Sequence, residues 1–576
     1  MSKRRHRKGQ SAGDGLFNLS NRSAVYVLAL VAIVSSACAL CTGGLIIFMK
    51  GLVKPAPAPN VTALTVAYSP EKAALFQSLI QQFNDQGLKA ADGESLAVIG
   101  VQMEPEAMIE AAISGQVQAI NPDSSLWLDQ VDQAWRQEQT GNEQALSMSL
   151  VGETTRYAVS PIVIAMWEDV ARRLGYPAQP IGWQDILAEA RQNPDFKWSH
   201  PSTSTSSGLL TTLAEFYAGA GLTRDLSKEA AQDQATLDYV AAVEKTVRYY
   251  GEGELAVIER AKREGPGFLD AFIVQEQLVI QFNRDGGSDK LVAVYPQEGA
   301  LWEDHPLALL EQSGLSPIQR STYARLREFL LSADVQQQVL AAGYRPVDLD
   351  IPLDGPQSPI TPGNGADPTQ PQTTLQIPGP AVVQVVKDVW WYTKRHTNVY
   401  LVVDVSGSME GDKLENVRVA LQTFVREIKG DQERVGLIVF SSRPRVIVPL
   451  GDLGTNRQAL EGSIAALDAG GSTALLDAVQ SAYEKLQRED DRDRINAIVV
   501  MTDGRENESS IKLGDLTRQI ERGNESGLPV VVFAIAYGDD ADEDTLRDIA
   551  EASGGQMRKG DLETIRGLYK ILSTYF

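Results

Sequence analysis

Three short stretches near the C-terminal end carry oxygen-bearing side chains in an order that could bind a metal. They are DVSGSMEGDK from Asp404, DAGGSTALLDAV from Asp468 and TDGREN from Thr502. Asp404, Ser406, Ser408, Thr473 and Asp503 offer carboxylate and hydroxyl oxygens, with no histidine or cysteine among them. Such donors suit a hard divalent cation, Mg²⁺ foremost, with Mn²⁺ or Ca²⁺ as alternatives. Three neutral hydroxyls and two carboxylates leave the ion incompletely neutralised, so that a partner's carboxylate can complete its shell. Glu410, Asp412 and Glu506 read as surface charges beside this set, and REDDRDR (Arg488 to Arg494) as a solvated turn.

The elements that must position these loops follow from hydrophobic pattern. Val399 to Val403 is an apolar strand ending at Asp404, and Leu414, Val417, Leu421, Phe424 and Val425 then share a helix face. Further strands are expected at Val435 to Phe440, Ile495 to Met501 and Val530 to Ala536, with helical patterns between them. This is a doubly wound parallel sheet, whose strand C-termini are where open α/β sheets bind ligands. The order D-x-S-x-S, then T, then D at three strand ends resembles the von Willebrand factor type A (VWA) family over residues 397–576. The resemblance implies a Rossmann-like fold and a metal-ion-dependent adhesion site. In that family the loop-one serines and the threonine typically touch the metal, the aspartates often act through water, and the partner is a protein carboxylate.

Upstream, the strand Leu64 to Ala67 leads through Tyr68-Ser69-Pro70 into a helical face of Phe76, Leu79, Ile80 and Phe83. A strand at Leu96 to Val101, a helix at Glu106 to Ser114 and a strand at Val117 to Ile120 repeat the unit, so a mostly parallel, helix-covered sheet is expected. In HPSTSTSSGLLTTLAEFYA, from His200, a hydroxyl block opens a helix. Its free amides suit an anion or other polar ligand, or the block is simply a cap. That loop, VYPQEGALWEDHP (Val294 to Pro306) and SADVQQQVLAAGYRPV (Ser332 to Val347) together resemble bacterial extracellular solute-binding proteins over residues 63–350. The resemblance implies a two-lobed periplasmic-binding-protein-like (type 2) domain with candidate contacts at Ser69, Ser124, Ser125, Ser204, Ser206, Ser207 and Tyr295. The ligand would be a small solute, unless the cleft is empty or serves as a protein contact. Residues 351–396 form a junction: eight prolines fall between Pro352 and Pro380, and an apolar helix follows that is expected to dock on a neighbouring domain.

The first 62 residues read as a membrane anchor. Residues 24–49 contain no charge and can cross a hydrocarbon layer of ~30 Å. The basic residues of 1–23 place the N-terminus in the cytoplasm and the C-terminal body outside it, and 50–62 is a stiff Pro-rich spacer. Cleavage after Ala37-Cys38-Ala39, or lipid attachment at Cys38 or Cys41, are the alternatives, and each leaves the body outside the cytoplasmic membrane. The formal charge is −22, with +5 on residues 1–23 and −27 on the remainder, which disfavours nucleic acid. Only two cysteines occur, and the four histidines stand at no zinc-ligand spacing from one another. The sequence has no G-x-x-x-x-G-K-[ST] loop and no evident Ser–His–Asp set, so an enzyme is not expected. The expected function is that of a membrane-anchored extracytoplasmic binding protein of receptor or adhesion type. The alternative is a solute-binding component associated with an ABC-type transporter.

Overall fold

The computed structural model describes residues 63–561 and 565, apart from 140–147, 252, 313 and 429. The expected membrane segment at 24–49 lies outside them, and no helix among the described residues is long and apolar enough to cross a membrane.

The first domain contains strands β1 (Leu64–Tyr68), β2 (Val98–Gln102), β3 (Ala119–Asn121), β4 (Val151–Arg156), β5 (Ala158–Trp167), β6 (Trp198–Pro201), β7 (Tyr250–Gly251), β8 (Ala271–Gln275), β9 (Leu291–Val294), β10 (Trp302–Glu303), β11 (Pro306–Leu310) and β12 (Arg345–Pro346). They build two lobes. The first sheet has the order β2-β1-β3-β11-β4, with β1 parallel to both neighbours and β11 antiparallel to β3 and β4. The second has the order β10-β5-β8-β6-β7, with β9 and β12 also pairing β5. The chain crosses between lobes from β4 to β5, from β10 to β11 and, after two further helices on the first lobe, into β12, so the cleft floor is made of crossover residues. The helix Ala73–Asp85 buries Phe76, Leu79, Ile80 and Phe83, the face its spacing indicates. β5 is apolar almost throughout because both faces of its sheet are covered.

The third sheet contains β13 (Thr397–Asp404), β14 (Arg434–Phe440), β15 (Pro444–Asp452), β16 (Ile495–Thr502), β17 (Val530–Tyr537) and β18 (Gln556–Gly560), in the order β15-β14-β13-β16-β17-β18. All neighbours are parallel except β15, an antiparallel edge strand that hydrophobic pattern did not reveal. Its Val446 and Ile447 are both exposed, and its prolines suit an edge.

The Pro-rich junction is not a free linker. Leu375 is buried, its amide donates to the Ala300 carbonyl at 3.0 Å, and the Ala293 amide donates to the Gly365 carbonyl at 2.7 Å. The helix Pro380–Thr393 buries Val383, Val386 and Trp390, and the Trp390 indole donates to Glu244 of the second lobe at 2.6 Å. Beyond it, Lys394 and Glu433 form a fully buried ion pair at 2.9 Å. Arg395 donates to the Val247 carbonyl at 2.8 Å and to the Arg492 carbonyl at 2.7 Å. The turn at 488–494, expected to be merely solvated, is therefore a docking surface for Arg395. One hydrophobic core runs from the second lobe under the junction helix into the third sheet.

Candidate metal centre and interlobe cleft

β13 is buried along its whole length, which fixes Asp404 at its C-terminal end. A single turn at Gly407–Met409 follows, anchored by fully buried Met409, before the helix Asp412–Glu427. Backbone hydrogen bonds lace the three loops together. Gly407 donates to the Gly471 carbonyl at 3.0 Å and Gly470 to the Val405 carbonyl at 2.8 Å. Thr473 donates to the Asn507 side chain at 3.0 Å, and the Asn507 amide returns to the Thr473 carbonyl at 3.1 Å. Gly471 takes φ of +95° beside Ser441 and Ser442, a conformation that favours glycine.

The five expected residues are brought together. The Ser406 amide donates to Asp404 at 2.7 Å, the Ser406 and Ser408 hydroxyls are 3.0 Å apart, and Ser408 donates to Asp503 at 2.6 Å. A Cβ placed on Gly504 would stand 3.4 Å from Thr473 Oγ1 and 3.6 Å from Ser408 Oγ, so the missing side chain leaves a cradle between the loops. Burial pushes the Asp404 carboxyl up to about 6, against hydrogen bonds from Thr502 and Ser406. Lys413 Nζ lies 2.5 Å from Asp503 Oδ2, a cation against one of the two carboxylates. This cradle of hydroxyls and buried carboxylates fits a hard divalent cation.

Sequence reasoning missed Lys413, and it missed Thr502, which donates to Asp404. It also misjudged Glu506, whose carboxylate accepts from the Leu476 amide at 3.0 Å and from the Ser509 amide at 2.6 Å, fixing the third loop. Glu410 and Asp412 are exposed, as expected.

The cleft departs further from expectation. The helix Ser206–Ala220 is capped by Thr205, whose hydroxyl accepts from Gly208 at 3.1 Å, and Ser204 is held by Ser202 at 2.7 Å. Ser206 accepts from the Trp127 indole at 2.7 Å, tying the lobes directly together. Ser124 accepts from the Leu126 amide at 3.3 Å, and the Ser125 amide donates to Asp304 at 2.7 Å. Tyr295 donates to Glu276 and accepts from the Asp367 amide at 3.1 Å, so it serves the junction strap. Ser69 and Ser207 alone of the expected contacts keep buried hydroxyls without a partner among the described residues.

Carboxylates dominate the cleft instead: Asp123, Glu254 and Glu303 are all buried, with Glu71 half-buried beside them. An anion is therefore the wrong complement. Burial, then Asp123, pushes the Glu254 carboxyl up to about 8, and burial with Glu254 raises Glu303 well above the usual carboxylate range. Lys72 is the counter-charge, 3.1 Å from Asp123.

Comparison with known proteins divides the chain at the same junction. Residues 64–345 match the family described as bacterial extracellular solute-binding protein, and residues 398–569 match the von Willebrand factor type A domain. An uncharacterized protein of Synechocystis sp. is 29% identical over 182 residues, which are 31% of this chain and 41% of that one. An uncharacterized protein of Mycobacterium tuberculosis H37Rv is 24% identical over 311 residues, covering 51% of this chain and 44% of that one. The chain thus spans less than half the length of these curated relatives. Among solved structures, the sulfate-binding protein SubI of M. tuberculosis H37Rv aligns with a TM-score of 0.36 at 17% identity, covering 50% of this chain and 88% of that one. The chain carries a bacterial extracellular solute-binding domain followed by a von Willebrand factor type A domain.

Proposed function

We propose that this chain is a membrane-anchored extracytoplasmic binding protein whose VWA domain takes a carboxylate-bearing protein partner through a divalent cation. Mg²⁺ is the first choice of ion, before Mn²⁺ and Ca²⁺. The observation that carries this reading is the convergence of Asp404, Ser406, Ser408, Thr473 and Asp503 at the C-terminal ends of the central strands β13 and β16. When bound, the ion supplies a Lewis-acidic face to the incoming carboxylate. The chain's own residues set that face: Asp404 and Asp503 carry the charge, while the three hydroxyls position without neutralising. Lys413 lies over Asp503 and competes for it. The role is binding rather than catalysis. The uncharged run at 24–49, behind a basic N-terminus, supports the anchor and its orientation.

Capture from native membranes tests this, with wild type and Asp404→Ala, each in Mg²⁺ and in EDTA. The expected partner appears only with wild type in Mg²⁺, and EDTA or the substitution lowers its recovery by at least about tenfold. An identical captured set in all four arms rejects the reading. A second reading, a solute-binding component working with an ABC-type transporter, is favoured by the family match over 64–345. It expects co-purification with a permease that EDTA does not disturb.

A further inference from the structure

The first domain's cleft holds three side chains gathered from separate elements. Asp123 follows β3, Glu303 ends β10 and His305 lies on the crossover into β11. One donor atom from each lies within 4.8 Å of the others. All three are at most 1% exposed. Both oxygens of Glu303, Nε2 of His305 and Ser69 Oγ have no hydrogen-bond partner among the described residues, while His305 Nδ1 faces Asp123 Oδ1 at 3.3 Å. Buried polar atoms without partners are costly, and so many at one point call for a ligand. His305 is also held at φ +36°, a left-handed backbone uncommon for a side chain of its size, while its amide donates to the Asp123 carbonyl at 2.8 Å.

The charge balance says what kind of ligand. Lys72 offsets Asp123, and it is further occupied by Asn121 at 3.0 Å and the Pro122 carbonyl at 2.6 Å. Glu303, Glu254 and Glu71 remain. His305 adds an imidazole ring, completely buried, to these carboxylates. The Trp127 to Ser206 contact brings the lobes together, which suits one ion better than a sugar-sized solute. Imidazole nitrogen with carboxylate oxygen is a borderline donor set, favouring first-row divalent ions over Mg²⁺. Ligand atoms at ~2.0–2.2 Å from such an ion stand ~3–4 Å apart, so the observed spacing needs only modest contraction.

We propose that Asp123, Glu303 and His305 are the protein ligands of a divalent transition-metal ion, Zn²⁺ or Mn²⁺, in the closed cleft of the solute-binding domain. The assignment rests on reading residues 64–345 as a ligand-binding domain and is independent of the VWA site.

The test uses the detergent-solubilised full chain carrying Asp404→Ala, which removes the competing site. The protein is stripped with EDTA and dialysed against ZnCl₂ or MnCl₂, and metal per chain and melting temperature are measured. One equivalent is expected, with a raised melting temperature. Adding Glu303→Gln, which keeps the shape, or His305→Gln should weaken retention by at least about tenfold. A melt without metal confirms that each variant is folded. No retained equivalent, or retention undiminished in a folded Glu303→Gln, overturns the proposal. Stabilisation by an organic solute from a screen of sugars and amino acids, without Zn²⁺ or Mn²⁺ binding, overturns the metal while keeping the ligand-binding domain. A chain that responds to neither overturns both.

Discussion

Glu433 at the junction and Glu303 in the cleft are both completely buried, yet they are treated in opposite ways. Glu433 receives the Lys394 ammonium at 2.9 Å, the Thr397 amide at 2.6 Å, the Thr397 hydroxyl at 2.5 Å and the His396 ring at 3.1 Å. Burial alone would push its carboxyl up, but Lys394 and these hydrogen bonds outweigh burial and bring it down to about 2. Glu303 receives nothing from the described residues. A buried carboxylate with a full set of partners is an architectural joint. One without any, beside a buried imidazole, is a place prepared for something else.

The largest expected effect breaks the joint. Glu433→Ala strands Lys394 in the core and should cost about 3–5 kcal/mol in urea unfolding. Glu303→Gln in metal-free protein should change stability by less than about 1 kcal/mol, because it removes a carboxyl that has no partner to strand. Equal losses from the two substitutions would dissolve the contrast. Next comes pH. Because Glu433's folded value lies below its unfolded one, its contribution is fully present above pH ~4.5 and is lost as pH falls from there towards 2. The gap between wild type and Glu433→Ala should shrink over that window, and a constant gap would show that the charge of Glu433 is not what the joint uses. The smallest effect concerns the lobes. Trp127→Phe deletes the bond to Ser206 and should cost about 1 kcal/mol of closure. Hydrogen exchange should quicken around Ser69 to Lys72 and leave the junction unchanged.

The two sites were not equally legible. The convergence of the candidate metal set could be read because its donors lie in three short loops, each fixed by an apolar strand or helix pattern with few alternatives. The alternation of strands and helices likewise indicated the α/β lobes. The cleft was misread because its hydroxyl block is conspicuous in sequence but is spent on Thr205 capping and on the Trp127 bond. Its operative groups, Asp123, Glu303 and His305, are brought together only by strands that cross between lobes, and no local spacing reports that. His305 was passed over because histidine spacing was compared along the chain, whereas its neighbours are carboxylates contributed by other strands. β15 escaped because an edge strand exposes its apolar residues, and Arg395's anchorage escaped because it rests on backbone carbonyls, which carry no residue signature.

The continuous core that fuses the second lobe to the VWA domain has a mechanical consequence. The chain enters the first lobe at residue 63 and reaches the third sheet only after leaving the second. A load between that entry and the third sheet would therefore cross the interlobe connections at 156–158, 303–306 and 341–345, with the Trp127–Ser206 bond beside them. The junction meets such a load with a shared core and a buried ion pair, so the second lobe and the VWA domain would move together. A pull on the VWA domain would reach Glu303 and His305 through the second lobe.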